Sequence, residues 1–298
     1  VLRLSRGMSY KNAIANLPLG GGKAVIIGDP AKDKTEARLL AYGRAVNELG
    51  GRYITAMDVG ITPADMPVIA RATKHAAGFD MPGKPSGDSG PPTALGVFVG
   101  LKAAIKHRLG ADSAKGLTVA IQGLGKVGTN LAKRLHDEGA KLIVSDVNAD
   151  AVKKAVGAFG AKPVSADEIV TAECDVFSPN ALGAILNDKT VDKIHAKVVA
   201  GAANNQLARD EHGEALKARG ILYAPDYVIN GGGIIRVAGQ IFEWSDAEVE
   251  RRVLAIAGTL TQIFKRADSD NKPTNVIADR IAEERMAAGG KSAARAAE

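Results

Sequence analysis

A lysine directly after three glycines is the feature of this sequence best suited to chemistry. Residues 17–30 read LPLGGGKAVIIGDP, so Lys23 follows Gly20–Gly22 and precedes the apolar run Ala24–Ile27. Glycine has no Cβ, so a ligand can come close to the backbone there, and the β-branched run predicts a buried strand. Burial or a neighbouring cation lowers the pKa of a lysine towards neutrality, which makes it a usable base. We therefore predict an ammonium group fixed at the end of a strand and facing a cleared space.

Two other interpretations of this motif are excluded by the residues around it. A phosphate-binding P-loop needs a glycine five positions before Gly22 and a Ser or Thr after the lysine, whereas Leu17 and Ala24 stand there. A hairpin turn uses one or two glycines and needs no lysine inside an apolar run. A glycine-rich connection with an exposed lysine remains as the alternative.

A second glycine motif lies in the middle of the chain, between two apolar runs. Leu117–Gln122 predicts a strand, Thr129–Glu138 a helix, and Lys141–Ser145 a second strand that ends at Asp146. Asp146 lies 23 residues after the first glycine of the motif. Strand, G-x-G-x-x-G, helix, strand and acid together form the dinucleotide-binding fingerprint. The motif residues are Gly123, Leu124, Gly125, Lys126, Val127 and Gly128.

Each part of this fingerprint has a physical reason to bind a dinucleotide. Gly123 and Gly125 let the pyrophosphate reach the helix N-terminus, where free N–H groups and the helix dipole favour an anion. Gly128 permits close packing of the helix on the strand. Asp146 can accept hydrogen bonds from both ribose hydroxyls and repels a 2′-phosphate. We therefore predict a Rossmann-type domain that binds NAD in preference to NADP.

Length and composition indicate the elements that must position these motifs. The chain has 298 residues, of which 46% are hydrophobic and only 4% aromatic, which favours an α/β protein of two domains. A proline- and glycine-rich stretch, Pro82–Pro92, predicts a linker and hinge. We predict a substrate domain over residues 1–88 and a doubly wound NAD domain over residues 89–270, separated by a cleft. Residues 271–298 are expected to form a helix returning to the substrate domain, followed by a frayed tail.

Further strands of the doubly wound sheet are predicted after the fingerprint. Their carboxyl ends lead into small or polar loops, which in this fold lie across the ligand. We therefore expect these loops to line the nicotinamide half of the cofactor. The loops are Ser178–Ala181, Gly201–Asn205, Pro225–Tyr227 and Val228–Gly233.

Several classes of function are disfavoured by composition. The net charge of +6 is spread among acidic residues without a basic–aromatic run, so we expect no nucleic-acid partner. No apolar stretch reaches the ~18 residues of a membrane span, and no membrane partner is expected. A single cysteine, Cys174, predicts a reducing, cytoplasmic location. The five histidines lack metal-ligand spacing, so no metal site is predicted.

Five separated motifs now carry a resemblance over about residues 1–285. The sequence resembles the glutamate/leucine/phenylalanine/valine dehydrogenase family, and within it the leucine dehydrogenases. Family members carry several dozen residues ahead of the position of Val1, so the resemblance predicts an incomplete N-terminal part. The matching segments are Arg6–Ala13, Leu17–Pro30, Thr55–Gly60, Gly201–Asn205 and Ala224–Gly233.

The resemblance implies a reaction and roles for the charged residues. Lys11 is expected to bind the substrate α-carboxylate, Lys23 to activate water as general base, and Asp58 to move a proton to and from the amino group. The α-hydrogen would leave as hydride to NAD, and water would then convert the imine to a 2-oxo acid and ammonia. Taken singly, Lys11 could equally be a surface residue and Asp58 a strand-end ion pair.

The resemblance also implies contacts to the substrate and the nicotinamide. Asn204 and Asn230 are expected to hold the substrate and the nicotinamide amide, and Thr93 to touch the nicotinamide side of the cofactor. Ala181 and Ala203 are expected to lie against the cofactor. Taken alone, Asn230 could be a helix cap instead.

The residues expected around the substrate side chain are small or apolar. They offer no cation for a glutamate side chain, and Ala56 and Ile234 take up room that a phenyl ring needs. We therefore predict NAD-dependent oxidative deamination of leucine, valine and isoleucine by a homo-oligomer. A phenylalanine dehydrogenase and a non-catalytic nucleotide-binding protein are the alternatives. The pocket residues are Leu19, Gly20, Ala56, Ile234 and Val237.

Overall fold

The first part of the chain is mainly helical and carries one short parallel sheet. The computed structural model describes residues 1–81, 83 and 86–297, with side chains up to residue 289. The Thr35 hydroxyl caps the second helix by accepting the Arg38 N–H at 3.2 Å. The elements are α1 (Leu2–Ile14), α2 (Glu36–Glu48), β1 (Thr55–Ala56), α3 (Asp65–Ala70) and β2 (Ala76–Ala77).

The buried strand expected after Lys23 is not formed. Ala24–Ile27 is irregular, and the side chains of Val25 and Ile27 are 58% and 91% exposed. A strand needs a neighbour for its N–H and C=O groups, and in the described part of the chain β1 pairs only with β2. β1 itself comprises only two residues.

The second part is built on a six-stranded parallel sheet. Its order is β5-β4-β3-β6-β7-β8, so β3 lies at the centre and the chain winds outwards in both directions. The Val119, Ala120 and Ile121 side chains of β3 are fully buried. This order is that of a doubly wound dinucleotide-binding fold, and the predicted fold class is confirmed. The strands are β3 (Thr118–Gln122), β4 (Lys141–Ser145), β5 (Lys162–Pro163), β6 (Val176–Pro179), β7 (Val198–Val199) and β8 (Leu222–Tyr223).

Helices connect and cover these strands. α4 begins at Gly90, so the end of the predicted Pro82–Pro92 linker is helical; Pro82, Lys84 and Pro85 lie outside the described residues. α4 packs against α5, α9 and α11. The helices are α4 (Gly90–Leu109), α5 (Lys126–Asp137), α6 (Ala149–Phe159), α7 (Glu211–Ala218), α8 (Asp226–Ile229) and α9 (Gly232–Ile241).

The C-terminal helices return to the first helix. The chain after Ser245 forms two helices, α10 (Asp246–Leu254) and α11 (Ile256–Asp270). α12 (Thr274–Ala297) packs against α1 and takes up most of residues 271–298, where a helix and a frayed tail are predicted. The Arg285 guanidinium donates to the Ile14 carbonyl at the end of α1. Across the described residues, every helix is too short or too polar to span a bilayer.

Two buried side chains of α9 join the halves of the chain. The Gln240 amide accepts the Gly78 N–H at 2.7 Å and donates to the Phe79 carbonyl at 2.8 Å. The Arg236 guanidinium donates to the Ser86 carbonyl at 2.7 Å. The segment before α4 is therefore fixed to the dinucleotide-binding part by hydrogen bonds at both of its ends.

Candidate active site

The glycine-rich segment is held against α1 by hydrogen bonds to its backbone. The Ser5 hydroxyl donates to the Gly21 carbonyl at 2.5 Å, and the Asn12 amide donates to the Gly20 carbonyl. A Cβ on Gly21 would lie 2.0 Å from the Ser9 Oγ, so only glycine permits this approach. The glycines therefore let the segment that carries Lys23 lie directly on the helix that carries Lys11.

Lys23 and Asp58 form an ion pair. The Lys23 ammonium donates to Asp58 Oδ2, and the other Asp58 oxygen accepts the Val59 N–H at 2.8 Å. Partial burial acts to raise the pKa of Asp58, but these two hydrogen bonds and the positive charges of Lys23 and Lys11 lower it overall. Asp58 is therefore a carboxylate near neutral pH, with its partner ammonium beside it.

Lys11 reaches from the last turn of α1 to the loop after β7. Its ammonium donates to Asn204 Oδ1 at 3.5 Å. Part of the side chain is exposed, while burial of the ammonium end lowers the pKa to about 8. The Lys23 charge lowers this pKa further, whereas the Asp226 and Asp58 charges raise it. The first part of the chain thus brings together three predicted site residues, which are Lys11, Lys23 and Asp58. Among them, Lys11 makes the contact with Asn204 of the second part.

Asn230, at the end of α8, contacts the same Asn204 side chain. Its amide donates to Asn204 Oδ1 at 2.8 Å and to the Ala202 carbonyl at 3.0 Å. The Asn230 Oδ1 is buried and accepts no hydrogen bond from the described residues. Buried acceptors are almost always paired, so this oxygen can accept from a bound ammonium or amide group. Asn230 is also the C-cap residue of α8, but it caps through its backbone N–H, so the cap does not use the side-chain Oδ1.

The fingerprint is built as a dinucleotide site requires. A Cβ on Gly128 would lie 1.9 Å from the Gly123 carbonyl oxygen, so glycine permits the contact of helix and loop. α5 begins after Gly125 without a side-chain cap, which leaves its first N–H groups available to a pyrophosphate. The Asp146 carboxylate stands at the end of β4 and accepts the Leu124 N–H at 2.5 Å. This arrangement fits a nicotinamide dinucleotide.

The remaining cofactor residues lie around the same end of the sheet. A Cβ on Gly123 would lie 2.9 Å from the Ala181 nitrogen, and the Ala203 N–H donates to the Pro179 carbonyl at 3.0 Å. The Thr93 hydroxyl donates to the Ser89 carbonyl at 2.7 Å. Their contacts with a cofactor stay predictions, as do those of Lys126 and Val127 on the first turn of α5.

Part of the predicted side-chain pocket comes together around Gly78. A Cβ on Gly78 would lie 3.4 Å from both the Ala56 Cβ and a Val237 methyl. These residues therefore form one small apolar wall, to which sequence analysis had not assigned Gly78. Leu19 and Ile234 are partly buried against the main core, and Gly20 is exposed, so their places in the pocket stay predictions.

Asp226 and Gln206 support the site; sequence analysis gave Gln206 no role and placed Asp226 only in the predicted loop Pro225–Tyr227, whereas helix α8 begins at Asp226. The Asp226 carboxylate is buried and accepts the Gln206 N–H at 2.7 Å. The Gln206 side chain donates to the Gly201 and Ala203 carbonyls at 2.8 and 3.0 Å. The sequence does contain a signal that could have indicated Asp226, because it is the one acidic residue of segment 224–233.

Comparison with known proteins identifies the family. The sequence profile described as Glu/Leu/Phe/Val dehydrogenase, dimerisation domain, matches residues 1–75. The profile described as Glutamate/Leucine/Phenylalanine/Valine dehydrogenase matches residues 87–157 and 144–292. The chain belongs to the Glu/Leu/Phe/Val dehydrogenase family. It is therefore an oxidoreductase of the amino-acid dehydrogenase class, a class that uses NAD or NADP.

Relatives within the Glu/Leu/Phe/Val dehydrogenase family differ in substrate. Leucine dehydrogenase of Geobacillus stearothermophilus is 50% identical over 285 residues, which cover 96% of this chain and 78% of that protein. Valine dehydrogenase of Streptomyces albus is 47% identical over 289 residues, 96% of this chain and 79% of that one. The crystal structure of L-tryptophan dehydrogenase from Nostoc punctiforme superposes with a TM-score of 0.87 at 44% identity, over 97% of this chain and 83% of that one.

Proposed function

We propose that this chain catalyses the NAD-dependent oxidative deamination of branched-chain L-amino acids to 2-oxo acids and ammonia. The observation that carries the proposal is a set of contacts that joins charged side chains of the first part of the chain to two asparagines of the second part. The Lys23–Asp58 ion pair lies beside Lys11, and Lys11 donates to Asn204, which in turn accepts from Asn230. A protein that only binds nucleotides has no need of this arrangement.

Lys11 and Asn230 fix the amino acid. The partly desolvated Lys11 ammonium attracts the α-carboxylate more strongly than an exposed lysine would. The unpaired Asn230 Oδ1 accepts a hydrogen bond from the substrate ammonium or from the nicotinamide amide. Both groups therefore orient the Cα–H bond relative to the strand ends where the cofactor is expected.

Lys23 and Asp58 handle the protons. A bound nicotinamide dinucleotide would supply the acceptor for the α-hydrogen, which leaves Cα as hydride. The Asp58 carboxylate first takes a proton from the substrate ammonium, so that loss of the hydride gives a protonated imine. Lys23 in its neutral form removes a proton from the water that adds to the imine carbon, and Asp58 returns its proton to the nitrogen. The nitrogen then leaves as ammonia while the new hydroxyl gives its proton to Asp58, which leaves the 2-oxo acid. The contact between Lys23 and Asp58 lets the proton pass between them.

The proposed cofactor is NAD, held by the fingerprint loop and by Asp146. The free N–H groups at the start of α5 bind the pyrophosphate, and the Asp146 carboxylate binds the ribose hydroxyls. A 2′-phosphate would bring a second negative charge against that carboxylate. NADP is therefore the poorer cofactor.

The proposed substrate side chain is aliphatic because the wall around it is small and apolar. Ala56, Gly78 and Val237 form this wall and offer no cation to a carboxylate side chain. One methylene in such a pocket discriminates by only ~1–3 kcal/mol. We therefore expect leucine, valine and isoleucine to be accepted together.

We further propose that the chain forms a homo-oligomer and that it is located in the cytoplasm. The matched dimerisation-domain profile over residues 1–75 supports self-association, as do the exposed apolar side chains of Val25, Ile27 and Val59. Sedimentation of the purified chain measures its mass in solution. The location rests only on the single Cys174, a sign of a reducing compartment.

A substrate panel tests the proposed activity. The purified protein is incubated with each L-amino acid and either NAD or NADP, and the reduced cofactor is followed. We expect the highest kcat/KM with leucine, valine or isoleucine and NAD. A highest value with phenylalanine or tryptophan would replace the branched-chain assignment by an aromatic one. No reduction with any amino acid would contradict the proposed reaction.

A further inference from the structure

A buried glutamine on α9 holds the backbone beside the proposed side-chain pocket. Gln240 is 3% exposed, and its amide reaches from the second part of the chain to the end of β2 in the first part. Gln240 Oε1 accepts the Gly78 N–H at 2.7 Å, and Gln240 Nε2 donates to the Phe79 carbonyl at 2.8 Å. One side chain therefore pairs with this buried backbone as a neighbouring strand would, and buried backbone groups need such partners.

These two hydrogen bonds fix a backbone conformation that glycine adopts more easily than other residues. Gly78 has a φ of +80°, in the left-handed region, and the N–H of Gly78 and the C=O of Phe79 lie on either side of this bend. A Cβ on Gly78 would meet the Ala56 Cβ and a Val237 methyl at 3.4 Å, which is an ordinary contact distance. The left-handed φ, rather than a lack of space, therefore disfavours a side chain here, and the room for one methyl group stays open at the wall.

Helix α9 supplies both the contact to Gly78 and another part of the apolar wall. Val237 precedes Gln240 by three residues, so the two side chains occupy neighbouring positions on one face of the helix. From β1, Ala56 pairs in register with Ala77, the residue before Gly78. Gln240 therefore sets how far the Gly78 backbone lies from Val237 and Ala56, and with it the width of the wall.

We propose that Gln240 is a positioning residue that sets the size of the side chain the substrate pocket accepts, by holding the Gly78 backbone against Ala56 and Val237. This inference rests on the proposed function, which places the substrate side chain at this wall. Gln240 acts through the Gly78 backbone and has no contact with the reacting atoms in this scheme. Its effect is therefore expected in the choice between substrates, whereas loss of a purely structural contact would lower the activity towards all of them alike.

Gln240→Met tests the two hydrogen bonds while keeping the length and approximate volume of the side chain. Methionine can neither accept the Gly78 N–H nor donate to the Phe79 carbonyl, so the Gly78 backbone becomes free to move away from the wall. One methylene in an apolar pocket changes kcat/KM by about 10–200-fold. We expect the ratio of kcat/KM for leucine to that for phenylalanine to fall by at least about ten-fold in the variant. The KM for NAD should stay unchanged, because the fingerprint loop follows β3 and lies outside this contact.

Two further variants separate this effect from a general loosening of the structure. Arg236→Met removes the hydrogen bond to the Ser86 carbonyl, further along the same segment, and should leave the leucine-to-phenylalanine ratio unchanged even where it lowers both activities. An equal fall of the ratio in Arg236→Met would overturn the inference. Gln262→Ala removes an exposed glutamine of α11 and should leave the ratio and both activities unchanged. Thermal melting confirms that each variant is folded before its kinetics are compared.

Hydrogen exchange of the Gly78 amide tests the contact without relying on the proposed activity. In the wild type this amide should exchange slowly, because it donates to a buried Gln240 oxygen, and it should exchange faster in Gln240→Met. Mass spectrometry with residue-level fragmentation measures both rates. Rapid exchange of Gly78 in the wild type, or a leucine-to-phenylalanine ratio that stays the same or rises in an active Gln240→Met enzyme, would overturn the inference. A wild type that reduces NAD with no amino acid would contradict the proposed function instead, and the exchange rates would still decide whether Gln240 holds this backbone.

Discussion

Replacing Lys23 by alanine removes the proposed general base and half of the Lys23–Asp58 ion pair. A positioned acid or base contributes about 10²–10⁴ in rate, which corresponds to about 3–5 kcal/mol of activation free energy. The Lys23 side chain is only 20% exposed, so water replaces the ammonium poorly. We therefore expect kcat to fall by about 10²–10⁴. NAD binding should stay near normal, because the fingerprint loop lies after β3 and Lys23 lies before α2.

The same substitution should change the pH dependence of substrate binding. The Lys23 charge lowers the pKa of Lys11, so its removal raises that pKa above about 8. Lys11 is protonated below its pKa, so the carboxylate is then bound over a wider range of alkaline pH. The pKa of Asp58 rises as well, since it loses a hydrogen bond and a positive charge. A lower kcat combined with an alkaline shift of the KM profile is specific to this geometry.

The assay compares initial rates of NAD reduction and NAD affinity measured by calorimetry. Lys32→Ala is the matched control, because Lys32 is 82% exposed and pairs with Asp29 at 3.4 Å. The control should retain wild-type kinetics. A Lys23→Ala enzyme within ten-fold of wild-type kcat would refute the assignment of Lys23 as base, and the lysine would then be structural.

Two further substitutions probe the cofactor site, and the pH dependence of the wild-type KM probes the substrate carboxylate site. Asp146→Ser should weaken NAD and improve NADP, and comparable kcat/KM for both cofactors in the wild type would contradict the role of Asp146. Gly128→Ala places a methyl 1.9 Å from the Gly123 carbonyl oxygen and should cost ~1–3 kcal/mol of stability as well as NAD affinity. Gly157→Ala, in open space on α6, should cost neither on calorimetry and thermal melting. In the wild type, KM for the amino acid should be flat below pH about 8 and rise above it as Lys11 loses its proton; a flat profile to pH 10 would contradict that role.

The sequence predicts the dinucleotide-binding part well because local signals agree with the global fold there. β4 has the predicted bounds, and β3 and α5 lie within a few residues of theirs. Parallel strands buried on both faces give continuous apolar runs, and glycines mark the turns between them. The strand order then follows from the known winding of the fingerprint.

Features that depend on distant contacts could not be predicted in this way. The apolar run Ala24–Ile27 has strand composition, but no described strand pairs with it, and composition cannot supply a partner. No proline or glycine stands at Ala255, where α10 ends and α11 begins, so the sequence does not indicate this helix break. The Gln206–Asp226 hydrogen bond joins residues 20 positions apart through a buried side chain, which no periodicity indicates.

Measuring where the α-hydrogen goes tests the proposed function most directly. L-Leucine deuterated at Cα is incubated with NAD and the purified protein, and all products are examined by mass spectrometry. We predict one deuterium in each reduced nicotinamide, together with one equivalent of 2-oxo acid and one of ammonia. Deuterium that stays in the amino acid or passes to water, with NAD unreduced, would contradict the account.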